Sequence, residues 1–194
     1  RRIASQGILN RNKEITFYFD SKPYKGFLGD TVASALLAND VHLVGRSFKY
    51  HRPRGILGIG SEEPNALISV HKGGRVEPNV RATVQEIYQG LIVTSQNSWP
   101  NLKFDALAIN DIAARFLSTG FYYKTFMWPP RFWEALYEPI IRRAAGLGRL
   151  DSKTDDDNYD QNFLFCDLLI IGGGPSGLLS ALLTARAGLD VILV

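Results

Sequence analysis

Cysteine, methionine and long apolar runs are all scarce in this chain, and each scarcity excludes something. Cys166 is the only cysteine in 194 residues, so neither an internal disulfide framework nor a four-cysteine metal site can form. A single thiol is consistent with a reducing compartment. No apolar run approaches the roughly 20 residues that span a bilayer, and the opening "RRIASQGILN" has no apolar leader core. A cytoplasmic protein with no membrane partner is expected. The formal net charge of +3 is too small to imply a polyanionic partner by itself. Hydrophobic residues at 45% and charged residues at 21% are ordinary for a globular chain with a real core in one or two domains. The only methionine is Met127, the first residue is Arg1 and the last, Val194, falls inside an expected strand. A piece of a longer polypeptide is therefore expected.

Residues 10–97 read as a small α+β domain. "EITFYF" alternates, with Ile15, Phe17 and Phe19 on one face and Thr16 and Tyr18 on the other. A turn at "DSKP" leads into "YKGFLG", completing a hairpin. "GDTVASALLAND" supplies a helix with Asp30 or Thr31 as N-cap and Asn39 near its stop. Further strands are expected at "ALISVHK", with "GG" as the turn, and at "EIYQGLIVTS". Two strands, a helix and more strands is the order of a β-grasp, or ferredoxin-like, module.

Residues 98–162 form a connector and linker. They hold Trp99, Trp128 and Trp133 and the crowded "FYYKTFMWPPRFWEALYEP". One helix is expected around 110–117. Another is expected after the two prolines, interrupted at Pro139 and ending near 146–148. An aromatic cofactor box is one reading; an irregular connector burying large aromatic area against its neighbours is the favoured one. "RLDSKTDDDNYDQN" is a solvated linker, and its acid run at 155–157 lacks the alternating oxygen ligands and central glycine of a calcium loop.

Residues 163–194 carry the most specific chemistry. "DLLII" has the pattern of a buried parallel strand. Gly172-x-Gly174-x-x-Gly177 follows, then the helix "LLSALLTARAG" and the strand "DVILV". This is the frame that a dinucleotide-binding turn requires. Gly172 makes the tight turn, Gly174 admits a pyrophosphate close to the backbone, and Gly177 lets helix and strand pack. The helix N-terminus offers free N–H groups and partial positive charge. Gly173, Pro175 and Ser176 complete the cofactor-binding set, Ser176 as a hydrogen-bond donor to phosphate. Gly188 marks the helix stop. The turn does not choose between NAD and FAD, because the acidic residue that grips the ribose belongs just beyond Val194. The fold class is thus an α+β ferredoxin-like (β-grasp) module without cluster cysteines, then the first βαβ unit of an α/β Rossmann-type domain.

Long irregular stretches add a family resemblance. "LVGRSFKYHRPRGILGIGSEEPNAL", "GDTVASALLAN", "GFYYKTFMWP", "FWEALYEPIIRRAAGLGR" and "CDLLIIGGGPSGL" closely resemble the α subunit of heterotetrameric sarcosine oxidases, in the same order. The resemblance implies an oxidoreductase subunit, with sarcosine demethylated to glycine, hydrogen peroxide formed and the one-carbon unit passed to tetrahydrofolate. It implies NAD in this subunit, held at Gly172, Gly174 and Gly177, with FAD and FMN elsewhere in a complex with β, γ and δ subunits. Sarcosine and tetrahydrofolate sites would lie outside these residues, and no catalytic residue is expected among them. A related amine or opine oxidase subunit with FAD at the glycine turn, or a non-catalytic interaction module, is the alternative.

Relatives of the first module carry a [2Fe–2S] cluster on a cysteine-rich loop after a "PRG" sequence. Here Arg52-Pro53-Arg54-Gly55 is followed by "ILGIGSEEPNAL", and Thr83 stands near the place of the last ligand. Cluster ligation needs thiolates, so no iron–sulfur cluster and no metal site are expected. The basic run Arg46, Lys49, Arg52 and Arg54, interleaved with Phe48, Tyr50 and His51, would suit single-stranded nucleic acid in another setting. In an enzyme subunit it reads as a subunit or domain interface, and no nucleic acid partner is expected. His42, His51 and His71 lack ligand spacing and read as structural, and Cys166 reads as a small hydrophobe.

Overall fold

Alternation builds the first hairpin. Strand β1 (Asn10–Phe19) turns Ile15, Phe17 and Phe19 into the core and pairs antiparallel with β2 (Lys22–Leu28). Asp20 and Ser21 link them at φ 46° and 64°, the left-handed pair that a two-residue hairpin turn requires. Helix α1 (Val32–Ala38) begins at Thr31 in a capping box. The Ser34 N–H donates to Thr31 Oγ1 at 3.2 Å and the Thr31 N–H to Ser34 Oγ at 3.0 Å. Asn39 ends the helix, its Nδ2 donating to the carbonyls of Ala35 and Lys25.

The computed structural model describes residues 2–3, 7, 9–112, 114–115, 120, 128–146, 148, 151–153 and 158–194. They fall into two units, Arg1–Thr154 and Asp155–Val194. In the first, β5 (Leu67–Lys72) and β6 (Arg75–Arg81) form a second hairpin through Gly73 and Gly74. Strand β7 (Ile92–Ser95) lies between the hairpins, parallel to β1 and antiparallel to β5, which gives the order β2-β1-β7-β5-β6. Short strands β3 (Gly45–Arg46) and β4 (Pro53–Arg54) pair separately. Helix α1 packs on the sheet through Val32, Ala33, Ala35 and Leu36, joined in the core by Phe17, Ile68, Val70, Ile87, Leu91 and Val93.

Three expectations change here. The strand expected over "EIYQGLIVTS" is confined to β7. Before it, the Ile87 N–H is spent on the Asp30 carbonyl, Gly90 turns at φ +81°, and its N–H bonds Thr16. The helix after the two prolines is not interrupted at Pro139. A π-helical turn at Trp133–Tyr137 leads into α3 (Glu138–Ala144), so Pro139 falls in the first turn of the α segment, where a missing N–H costs little. Trp99 and Trp128 are 64% and 81% exposed and Phe104 69%, so these aromatics are not the buried mass expected of the connector. Helix α2 (Ile109–Ile112) covers the start of the helix expected at 110–117. Residues 113, 116–119 and 121–127, and the acid run at 155–157, lie outside the described residues.

The second unit is one β-α-β turn: β8 (Leu168–Ile170), α4 (Pro175–Arg186) and β9 (Val191–Leu193), with β8 parallel to β9. Helix α4 ends in a Schellman motif, with the Gly188 N–H on the Ala185 carbonyl and the Leu189 N–H on Thr184. The strand "DLLII" pairs as expected but is not buried. Leu169 and Ile171 are 53% and 83% exposed, because one helix and two strands cannot cover both faces of a parallel pair.

Candidate functional site

The glycine turn joins β8 to α4. Gly172 sits at φ +109°, a conformation costly for any residue with a Cβ, and its N–H donates to the Val194 carbonyl at 2.6 Å. Gly174 is the N-cap of α4, with no side chain capping the helix, and Pro175 opens the first turn. Space around Gly172, Gly173 and Gly174 is open: a Cβ on any of the three would meet nothing within 4 Å. Gly177 is the opposite case. A Cβ there would collide with the Gly172 carbonyl oxygen and lie 3.5 Å from Ile170 Cγ2. The first three glycines therefore leave open space at a helix N-terminus, with the Gly172 N–H already given to Val194, and the last lets the helix close on its strand. Ser176 is exposed in the first turn of the helix.

A second constellation is built on residues 55–66, the loop after the "PRG" sequence. Glu63 is buried there, and its carboxylate accepts from the Leu57 N–H at 2.7 Å, the Asn65 N–H at 2.8 Å and the Ala66 N–H at 3.1 Å, with the Gly58 N–H as a fourth donor. Burial opposes its charge, but the four N–H groups outweigh burial and hold its carboxyl below the ordinary value. Thr83 Oγ1 donates to the Gly60 carbonyl at 2.7 Å, and Arg81 Nε donates to the Glu63 carbonyl at 3.2 Å. Thr83 and the loop, 23 positions apart, are thus brought together. Nothing in the sequence reading singled out Glu63; an acid before proline in a glycine-rich loop was the available signal.

The basic stretch resolves into separate roles. Arg46 donates from Nε and Nη2 to the Leu102 carbonyl at 3.0 and 2.7 Å and from Nη1 to the His51 carbonyl at 3.1 Å, so it knits three backbone segments. Arg52 pairs with Asp111 at 2.7 Å and stacks 4.8 Å from the Tyr50 ring, and Asp111 raises its pKa. Lys49 Nζ also lies over the Tyr50 ring, 4.9 Å from its centroid. His51 is fully buried against Asp105, a structural place as expected. His42 lies 2.9 Å from Asp40, and His71 lies 3.1 Å from Thr94 Oγ1. Cys166 is half-buried ahead of β8. No helix is long and apolar enough to cross a membrane among the described residues.

The five-stranded unit and its loop place the first 100 residues in a class. A family model described as a 2Fe-2S iron-sulfur cluster binding domain matches residues 12–98. The α+β, ferredoxin-like part of the fold is therefore established. Along its whole length the chain belongs with sarcosine oxidase α subunits. It is 58% identical over 193 residues to the sarcosine oxidase subunit alpha of Rhizobium meliloti (strain 1021), covering 100% of this chain and 20% of that one. It is 31% identical over 189 residues to the protein of the same name from Corynebacterium sp. (strain U-96), covering 96% of this chain and 15% of that one. The chain thus spans about a fifth or less of the length of these relatives. A solved structure, the L-proline dehydrogenase from P. horikoshii, aligns over 95% of this chain with 19% identity and a TM-score of 0.45, and covers 25% of its own chain, a likeness too slight to define more.

The family match corrects the expected cofactor set. The resemblance implied NAD, FAD and FMN, and the absence of cysteines after Gly55 implied no iron–sulfur cluster, whereas residues 12–98 match a domain of the iron–sulfur cluster-binding type. The donors present do not fit the group that names the family: Cys166 is the only cysteine, and it belongs to the second unit. Among the described residues no three His, Cys, Asp or Glu side chains are grouped to hold a metal ion.

Proposed function

We propose that this chain is the dinucleotide-binding and assembly part of an oxidoreductase subunit, in an enzyme that oxidatively demethylates sarcosine to glycine. In this reading hydrogen peroxide is formed, the one-carbon unit passes to tetrahydrofolate, and β, γ and δ subunits complete the complex. Identity of 58% to a sarcosine oxidase subunit alpha over the whole chain is the observation that carries it. The glycine turn supports a dinucleotide, NAD, at Gly172, Gly173, Gly174, Pro175, Ser176 and Gly177. Its open surface and uncapped helix N-terminus suit a pyrophosphate, which would accept from backbone N–H groups and face the positive end of the α4 dipole. No residue of this chain is assigned to substrate oxidation.

The test is nucleotide content of the intact subunit after denaturation, with Gly174→Val beside the parent. A valine side chain would fill the space now open in front of the turn, so NAD should be lost while the first unit stays folded. Unchanged NAD content overturns the assigned site. Loss of FAD in place of NAD would place the catalytic flavin here instead.

A further inference from the structure

A hollow of about 550 Å³ opens in the first unit between the β1–β2 turn, the segment after α1 and residues 101–103. Its size is that of small-molecule sites. Phe19 and Leu102 are buried at its wall, with Val41 and Leu43 half-buried beside them. Lys22 and Lys103 stand at the same hollow, and no described residue hydrogen-bonds or ion-pairs with the Nζ of either. Asp20 and Asp40 share the lining and keep their charge, each with a contact of its own within the chain. Asp20 Oδ1 accepts the Ser95 N–H at 2.7 Å, and Asp40 Oδ1 lies 2.9 Å from His42 Nε2. The half-buried Tyr24 also lines the hollow.

We propose that this pocket binds a small organic acid. Lys22 and Lys103 hold its carboxylate, and Phe19, Val41, Leu43 and Leu102 receive its apolar body. The chemistry follows from the division of the lining: an apolar wall sheds water from a hydrocarbon body, and two ammonium groups with no partner among the described residues can each donate to a carboxylate at its end, while Asp20 and Asp40 are tied to Ser95 and His42. The lining shares no residue with the glycine turn, which belongs to the other unit.

Equilibrium dialysis of the intact protein with benzoate as the probe tests this. Saturable, stoichiometric binding is expected, weakened about tenfold in Lys22→Ala and again in Lys103→Ala, the loss of one charge-assisted contact each. Lys72→Ala, which removes the partner of Glu77 on the β5–β6 hairpin, should leave binding unchanged. Benzyl alcohol, the same body without the charge, should bind at least about tenfold more weakly. Both pocket lysines are exposed, so the variants keep their fold, which circular dichroism checks. No saturable benzoate binding, or binding indifferent to both lysines, overturns the proposal.

Discussion

His51 and Asp105, 54 residues apart, are sealed together in the first unit, with Nδ1 of the imidazole 2.7 Å from Oδ2 of the carboxylate and both side chains without solvent exposure. The other oxygen of Asp105 accepts the N–H groups of Trp99 at 3.0 Å and Leu107 at 3.1 Å. One carboxylate therefore ties the basic segment around His51 to the start of the connector. Asp105→Ala would take the partner from the buried His51 imidazole and the acceptor from two part-buried N–H groups, and a loss of about 3 kcal/mol is expected. Asp105→Asn, which keeps one acceptor, should lose less. Urea unfolding followed by tryptophan fluorescence measures both; equal stability of Asp105→Ala and the parent would contradict the account.

Glu63 makes the stability of the ferredoxin-like unit depend on pH. Burial raises its pKa and its four backbone donors lower it further than burial raises it, so the folded value lies below the ordinary one. Its stabilisation is therefore complete above the ordinary carboxylate range, near about pH 4.3, and is lost as pH falls through the lower folded value. Glu63→Gln puts an amide NH₂ against N–H donors and should cost about 1–3 kcal/mol at neutral pH. The gap between parent and Glu63→Gln should close in acid; a gap independent of pH would refute the role.

Gly177 and Gly173 should respond oppositely to the same substitution. Gly177→Ala forces a methyl group onto the Gly172 carbonyl, and a loss of about 1–3 kcal/mol in the β-α-β unit is expected. Gly173→Ala points into open space and should stay within about 0.5 kcal/mol. Hydrogen exchange of the α4 amides in the intact protein separates the two, and equal protection in both variants would contradict the geometry.

Asp30 is a buried hub beneath the start of α1. It accepts two bonds from the Arg2 guanidinium, at 2.7 and 2.5 Å, one from the Phe27 N–H at 2.8 Å and one from Ser34 Oγ at 2.7 Å. Asp30→Ala takes the acceptor from the Arg2 guanidinium and the Phe27 N–H, while Ser34 Oγ keeps the Thr31 carbonyl, and should cost about 3–5 kcal/mol. Arg2→Ala leaves the other two donors in place and should cost clearly less. Thermal unfolding of the two variants checks the order, and the reverse order would sink it.

Local features were readable from the chain. Alternation placed Ile15, Phe17 and Phe19 inward, Thr31 and Asn39 bounded α1, and the two glycines at 73–74 marked a turn. Each depends on neighbours within about four residues, where steric and hydrogen-bonding preferences act directly. The glycine turn was readable for the same reason: Gly172, Gly174 and Gly177 act within one strand–helix junction. Pro139 misled because a proline has two tolerable meanings, a break or a first turn, and the preceding π turn decides between them.

The amino-acid sequence by itself determined the hairpins, the capped helix and the glycine turn, since these are settled by short-range geometry. Only the tertiary structure decided that Glu63 closes the loop after Gly55, that Asp30 meets Arg2, and that His51 meets Asp105. Residue types such as Glu, Asp and His are mostly solvated, and what turns them into buried acceptors is the arrival of donors from distant segments. That arrival is set by packing of the sheet, helix and connector, which no local pattern encodes.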